Sequence, residues 1–242
     1  MNLVIDVGNS RVKAAVFEQH NIVELFIFEK NKIVSEVKKI LKHQPISSSI
    51  ISSVSNISLK QIDKLKEYTS ILVVDATLKI PFKNLYATPN TLGVDRIALV
   101  SAAVKKFPKS NVLVIDAGTC ITFDFINSSS EYLGGAISPG LEMRYKALQK
   151  FTSKLPLLNI DEPKSFIGNS TEQSIHSGVI NGVVQEIDGV VGQYQKKYLD
   201  LTIVLTGGDT NFLSKQLKSS IFANQNFLLE GLNEILIFNQ NK

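Results

Sequence analysis

One motif occurs twice in this chain, and each time it opens the same run of predicted elements. Asn2-Leu-Val-Ile-Asp6-Val-Gly8-Asn9-Ser10 leads into an apolar strand ending at Phe17. Asn111-Val-Leu-Val-Ile-Asp116-Ala-Gly118-Thr119 leads into another that runs through Phe123. The two aspartates stand 110 positions apart, near half of the 242 residues. A repeat of this kind predicts two related α/β lobes rather than a single sheet with decorations. The first half reads as strands Asn2–Val7, Val12–Phe17 and Ile22–Phe28. A helix follows with apolar positions Ile33, Val37, Ile40 and Leu41, then strand Ile50–Val54, helix Ile57–Tyr68 and strand Ile71–Asp75. After a loop at Lys79–Thr91 and a helix at about Val94–Phe107, the charged, Pro108-containing segment Lys105–Ser110 is the natural boundary. The pattern then restarts with strands Val112–Asp116, Ile121–Ile126 and Tyr132–Ile137 and a helix at Leu141–Gln149. A long helix from about Thr171 to Lys197, strand Leu201–Leu205, helix Asn211–Leu217 and an apolar C-terminal segment complete it. The expected lobes are residues 1–110 and 111–242, with their hairpins facing one cleft.

Composition removes several alternatives. The chain is 44% hydrophobic and 20% charged, which is ordinary for a folded domain and unlike a disordered one. One cysteine, Cys120, excludes an internal disulfide and points to a reducing compartment. With only His20, His43 and His176 beside it, no Cys/His zinc site can assemble. No apolar run approaches the roughly 18 residues of a membrane helix, and the first residues lack a signal-peptide layout, so a cytoplasmic protein without membrane attachment is expected. The net charge of +4 raises nucleic acid as a partner, but the lysines are scattered and do not interleave with aromatics, so none is expected. Arginine is scarce: only Arg11, Arg96 and Arg144 stand among 26 cations. A lysine-rich chain can reserve arginine for places that need its planar fork.

The hairpins themselves carry chemistry. Glycine in an Asp-x-Gly-x-Ser/Thr turn lets backbone N–H groups approach an anion, Ser10 or Thr119 adds a hydroxyl, and a strand-end aspartate can hold a cation bridging to phosphate. Read alone, either hairpin is equally an ordinary β-turn; the pair favours phosphate binding. Leu201–Asp209 runs from a strand into Gly207-Gly208, where a flat ligand could lie on bare backbone or a turn could simply need glycine. Neither a Gly-x4-Gly-Lys-Ser/Thr loop nor a Gly-x-Gly-x-x-Gly fingerprint occurs. In Leu92-Gly93-Val94-Asp95-Arg96, an aspartate in a helix's first turn suits the dipole, whereas an arginine there wants an anion. Ser170 and Gln173 have capping-box spacing, which leaves Thr171 at a helix N-terminus. Along that helix Ile175, Val179, Val183, Ile187, Val190 and Tyr194 form an apolar face beside a Gly178/Gly182 stripe. The stripe is open to two readings, close packing inside the core or an interface between copies.

The order Asp-x-Gly-x-Ser, Asp-x-Gly-Thr, Gly-Gly-Asp resembles the superfamily of acetate and sugar kinases, heat-shock ATPases and actin. The detail is closer to type III pantothenate kinases. Ile5–Lys13, Leu92–Arg96, Val114–Thr119, Gly134–Leu141, Leu155-Pro156, Ile167–Thr171 with Gly178, Leu205–Asp209 and Leu229–Leu232 all match in the family's order. The resemblance implies two ribonuclease-H-like lobes with mixed five-stranded sheets, in the actin-like ATPase architecture. It implies ATP-dependent phosphorylation of pantothenate at its 4′-hydroxyl, the first step of coenzyme A synthesis, in a homodimer. Asp6, Val7, Gly8, Asn9, Ser10, Arg11, Val12 and Lys13 with Thr119 would bind ATP, aided by Mg²⁺. Asp116 would bind the monovalent cation, potassium or ammonium. Tyr86, Gly93, Val94, Asp95, Arg96 and Thr171 would bind pantothenate, with Asp95 as the catalytic base and Arg96 on the carboxylate. Thr171 would reach the neighbouring subunit's substrate. A non-catalytic nucleotide-binding accessory protein of the same superfamily is the alternative, and Asp95-Arg96 is the feature it leaves without a use. Cys120 replaces a common alanine, and Arg144 receives no role.

Overall fold

Asp6 pairs with Lys13 across an antiparallel hairpin and with Ser52 on a parallel neighbour, and those two registers organise the first sheet. The computed structural model describes residues 1–8, 11–53, 57–75 and 78–240. Asn9 and Ser10, both expected to bind ATP, lie outside the described residues. Contacts divide the chain into two units. One comprises Met1–Lys109, Ser129–Leu133 and Asn226–Lys242; the other comprises Ser110–Ser128 and Gly134–Gln225.

In the first unit, β1 (Asn2–Val7), β2 (Val12–Glu18), β3 (Asn21–Phe28), β4 (Ser48–Ser53) and β5 (Ile71–Val73) form a sheet in the order β3-β2-β1-β4-β5. It is mixed: β1/β2 and β2/β3 are antiparallel, β1/β4 and β4/β5 parallel. β1 is central because its residues are apolar on both faces; Leu3, Val4 and Ile5 are all 0% exposed. On one face α1 (Ile33–His43) buries Ile33, Val37 and Ile40 against Leu3, Ile5 and Val7. α2 (Leu59–Lys66) begins at a reciprocal Ser58/Gln61 capping box and adds Leu65 to that core.

α3 (Val94–Lys106) packs on the C-terminal helix α8 (Phe227–Gln240), which also lies on β1, β2 and β4. Sequence reading assigns α8 to a lobe of residues 111–242; its contacts place it in the first unit instead. The reason is physical. α8 buries residues around most of its circumference, including Phe227, Leu229, Leu232, Ile235 and Leu236, so it needs a slot between other elements. Gly231 makes that slot possible: a Cβ there would sit 1.8 Å from the Ala98 carbonyl oxygen of α3. Buried Asn233 fixes the register, accepting from Asn2 Nδ2 at 3.0 Å and donating to the Gln19 carbonyl at 2.8 Å.

The second sheet runs β11-β10-β7-β8-β9-β6, with β6 (Lys83–Asn84), β7 (Asn111–Ala117), β8 (Cys120–Ile126), β9 (Glu131–Pro139), β10 (Leu201–Thr206) and β11 (Phe222–Ala223). Six strands replace the five expected. Four of them match the strands read from the sequence; the other two, β6 and β11, are two-residue edges with no sequence periodicity of their own, and β6 pairs with the start of β9 from within the segment read as a loop. β7 and β8 are antiparallel, β7 and β10 parallel. In the second unit α4 (Leu141–Lys150), α5 (Thr171–His176), α6 (Gly182–Lys197) and α7 (Thr210–Leu213) cover this sheet's core. The predicted long helix runs from 171 to 197 but passes through a π-helical turn at Ser177–Asn181. There Ser177 Oγ donates to the Phe166 carbonyl at 2.5 Å and accepts from Asn181 Nδ2 at 3.0 Å, side-chain bonds that accompany the widened turn. Ile175, Val179, Val183 and Ile187 are buried as the periodicity predicts. Gly178 and Gly182 are exposed, and a Cβ on either would meet nothing within 4 Å, so the stripe does not serve packing inside this chain. Among the described residues no helix is long and apolar enough to cross a membrane.

Candidate functional site

The first hairpin closes with Gly8 N–H donating to the Arg11 carbonyl at 3.1 Å, and a Cβ on Gly8 would lie 3.3 Å from that oxygen. Asp6 stands at the hairpin's base. Ser52 Oγ, on the parallel neighbour β4, donates to Asp6 Oδ1 at 2.9 Å. Burial lifts the Asp6 carboxyl from 3.8 to about 6; the Ser52 bond and the Lys13 charge pull the other way, and the charge of Asp95 adds to the rise. Ser52 escapes sequence reading because its signal is a strand register, visible only once β1 and β4 are paired.

In the same unit, Gly93 caps α3 and the next turn presents Asp95 and Arg96. Asp95 folds back over the helix start: its Oδ1 accepts from Arg96 N–H at 2.8 Å, and a Cβ on Gly93 would fall 2.3 Å from it. A side chain at 93 would displace the Asp95 carboxylate from this position, in which Asp95 satisfies a first-turn N–H of α3. Arg96 is 5% exposed, and its guanidinium carbon lies 5.6 Å from the centre of the Tyr86 ring. Tyr86 in turn stands 6.0 Å from Tyr132, which Phe82 meets edge-on at 5.9 Å. The fork of Arg96 is thus oriented by an aromatic stack. Asp6, Lys13, Tyr86, Asp95 and Arg96 all belong to the first unit.

In the second unit, Asp116 pairs with Thr122 one step before the β7/β8 ladder ends at Ala117 and Ile121, and Gly118 N–H donates to the Cys120 carbonyl at 3.0 Å. Thr119 is exposed at the tip. Two glycine motifs press on this hairpin. Gly140 N–H donates to the Thr119 carbonyl at 3.1 Å, and a Cβ on Gly140 would collide with the Gly118 and Thr119 carbonyl oxygens at 2.2 and 2.5 Å. Gly207 has φ +98°, and a Cβ there would sit 2.4 Å from both Asp116 Oδ1 and the Ala117 carbonyl oxygen. Gly207 is therefore glycine for its turn, while Gly208 faces open space, with nothing within 4 Å of a Cβ. Burial and nearby Glu142 raise the carboxyl of Asp209. Thr171 lies at the start of α5 next to its cap, where Ser170 Oγ accepts from Gln173 N–H at 3.2 Å. It lines a groove of about 1240 Å³ with Arg144, Leu148, Phe151 and Val179, and Phe151 is 80% exposed. Among the described residues no three His, Cys, Asp or Glu side chains form a metal cage.

Comparison with known proteins places this chain. The family model for type III pantothenate kinase matches residues 2–193. The type III pantothenate kinase of Christiangramia forsetii is 53% identical over 241 residues, covering 99% of each chain. That of Flavobacterium johnsoniae is 50% identical over 235 residues, covering 97% of this chain and 96% of its own. Among solved structures, a Campylobacter jejuni protein assigned to the Baf family of transcriptional activators is similar with a TM-score of 0.65 at 21% identity, covering 99% of this chain and 100% of that one. A ROK family glucokinase from Streptomyces griseus, solved with glucose and AMPPNP, is similar with a TM-score of 0.52 at 11% identity, covering 99% of both chains. At such identities these structures establish the fold, the α/β architecture of actin-like ATPases and ROK kinases. The chain belongs to the type III pantothenate kinase family.

Proposed function

We propose that this protein phosphorylates pantothenate on its 4′-hydroxyl with ATP, giving 4′-phosphopantothenate for coenzyme A synthesis. The observation that carries the reading is the first turn of α3, where a buried arginine held beneath Tyr86 adjoins a carboxylate near Asp6. Pantothenate offers the two groups that such a turn can sort, a carboxylate and a primary alcohol. Arg96 takes the carboxylate through its fork. Asp95 takes the alcohol: a carboxylate has acceptor sites on both oxygens, so the bond from Arg96 N–H leaves capacity for the substrate hydroxyl. The hydroxyl proton passes to Asp95, the alcohol oxygen bonds to the γ-phosphorus, and the bond from that phosphorus to the β–γ bridging oxygen breaks, releasing ADP. Because the transition state is loose, most of the rate comes from alignment and charge neutralisation, with general-base help from Asp95 worth a smaller share. Tyr86, Gly93 and Val94 shape the pantothenate side, and Thr171 completes it across a homodimer, for which the open Gly178/Gly182 face is available.

Asp6, Val7, Gly8, Asn9, Ser10, Arg11, Val12 and Lys13 with Thr119 receive the ATP phosphates. Mg²⁺ bound there would neutralise phosphate charge, and Asp6 fits it: a carboxyl lifted to about 6 by burial is the group that a neighbouring cation returns to its anionic form. Asp116 Oδ1 and the Ala117 carbonyl, both of which lie close to Gly207, offer oxygen donors for potassium or ammonium. An ADP-release assay with pantothenate against a panel of sugars, in potassium and in sodium buffers, tests the reading. Turnover with pantothenate alone supports it; turnover with a sugar, or none with any alcohol, refutes it.

A further inference from the structure

Arg144 is the arginine to which the proposed reaction gives no role, yet it is the most fully engaged of the long side chains on α4. Its Nε donates to the Pro139 carbonyl at 2.8 Å, and its Nη2 donates to Ser138 Oγ at 2.8 Å and to Glu186 Oε2 at 2.6 Å. Three acceptors on one planar fork is a geometry that lysine cannot reproduce. Lys146, two positions on, pairs along its own helix with Glu142, as surface lysines commonly do. The Arg144 and Glu186 side chains are 22% and 29% exposed, and an ion pair that open to solvent adds little to stability. The fork's consequence is positional. It joins the end of β9 to α6, a helix anchored by the buried residues Val183, Val184, Ile187 and Val191.

What it holds in place is the Ser138–Gly140 turn, and that turn bears on the second hairpin without slack. Gly140 has no room for a Cβ against the Gly118 and Thr119 carbonyls, and its N–H is bonded to the Thr119 carbonyl at 3.1 Å. A shift of the turn is therefore a shift of the Thr119 peptide. We infer that Arg144, braced by Glu186, is a positioning residue for the nucleotide: it fixes the Ser138–Gly140 turn and through it the placement of Thr119, whose hydroxyl meets the ATP phosphates. This rests on the reading of Thr119 as an ATP contact. Because Arg144 also lines the groove that contains Thr171, direct contact with pantothenate is the competing role.

The test is steady-state kinetics with each substrate varied in turn, alongside the thermal midpoint, for Arg144→Lys, Glu186→Gln and Thr119→Ala. Arg144→Lys should lower kcat/KM for ATP roughly tenfold, the scale of a sub-ångström misplacement, with a raised KM for ATP and the pantothenate KM within about twofold of wild type. Glu186→Gln, which keeps an oxygen acceptor for the fork, should raise the ATP KM less. An unchanged ATP KM in Arg144→Lys beside a raised one in Thr119→Ala overturns this inference and leaves the hairpin reading intact. An unchanged ATP KM in Thr119→Ala overturns both. A pantothenate KM raised as much as that for ATP overturns it in favour of direct contact. A lowered midpoint with unchanged kinetic constants overturns it in favour of a purely structural role. If Arg144→Lys does not fold, Glu186→Gln decides by the same criteria.

Discussion

Replacing Asp6 with asparagine should make the ligand-free protein more stable while removing its activity. The carboxyl of Asp6 rises from 3.8 in the unfolded chain to about 6 in the fold, net of the opposing Ser52 bond and Lys13 charge. A carboxyl raised in this way binds its proton more tightly folded than unfolded, so its contribution to stability is fully present below about pH 3.8 and is lost as pH rises through about 6. A rise of that size corresponds to about 3 kcal/mol of destabilisation at pH 7.5, falling to about 1 kcal/mol near pH 4.5. Asn is isosteric and still accepts from Ser52, so it escapes that cost without opening a cavity. Calorimetry at the two pH values reads the difference. At pH 7.5 the Asp6→Asn transition of the first unit should lie about 5–10 °C above wild type, and the gap should narrow at pH 4.5. Mg·ATP should raise the wild-type midpoint and leave the variant's nearly unmoved, because the anionic carboxylate is what the cation rewards. A variant less stable than wild type at pH 7.5, or a gap that does not depend on pH, would refute the claim that burial holds this carboxyl up.

Asp95→Asn should lower kcat by roughly 10²–10⁴ with little change in ATP affinity, the range for a positioned general base; retention of a tenth of wild-type kcat would leave Asp95 a helix cap only. Arg96→Lys should weaken pantothenate binding by about 1.5–3 kcal/mol, seen in the KM for pantothenate, since the fork loses a charge-assisted bond; an unchanged KM would assign Arg96 to the aromatic stack. Gly231→Ala, which drives a methyl into the Ala98 carbonyl at the α3–α8 crossing, should cost about 1–3 kcal/mol or more by urea denaturation, and a neutral result would mean that the two helices separate freely. Mixing Asp95→Asn and Thr171→Val subunits under exchange conditions should restore activity towards one intact site per heterodimer, and no recovery despite exchange would place Thr171 in cis.

What was legible in the sequence is what local pattern determines. The apolar runs Leu3–Ile5 in β1 and Val112–Ile115 in β7 announce central strands, and the spacing of Ile33, Val37 and Ile40 announces α1's buried face. The repeated hairpins carry their own signature because Asp, Gly and Ser or Thr are needed within a few residues. What sequence did not disclose depends on distant partners. α8 reads as apolar wherever it docks, and it is contacts such as Gly231 against Ala98 and Asn233 against Asn2 that give it to the first unit. Ser52 becomes a partner of Asp6 through register, and Arg144 gains its three acceptors from β9 and α6. Gly207 could have been a ligand platform by pattern; its positive φ and its closeness to Asp116 make it a turn residue.

The central claim is that the first turn of α3 directs phosphate to one particular oxygen of pantothenate. Phosphorus NMR of the product formed from ATP and pantothenate tests it most directly. A phosphate monoester coupled to the methylene protons of the former primary alcohol, formed by wild type and lost in Asp95→Asn, is the result the account predicts. A phosphoryl group on the secondary hydroxyl or on the carboxylate would contradict it, as would ADP released with pantothenate left unmodified.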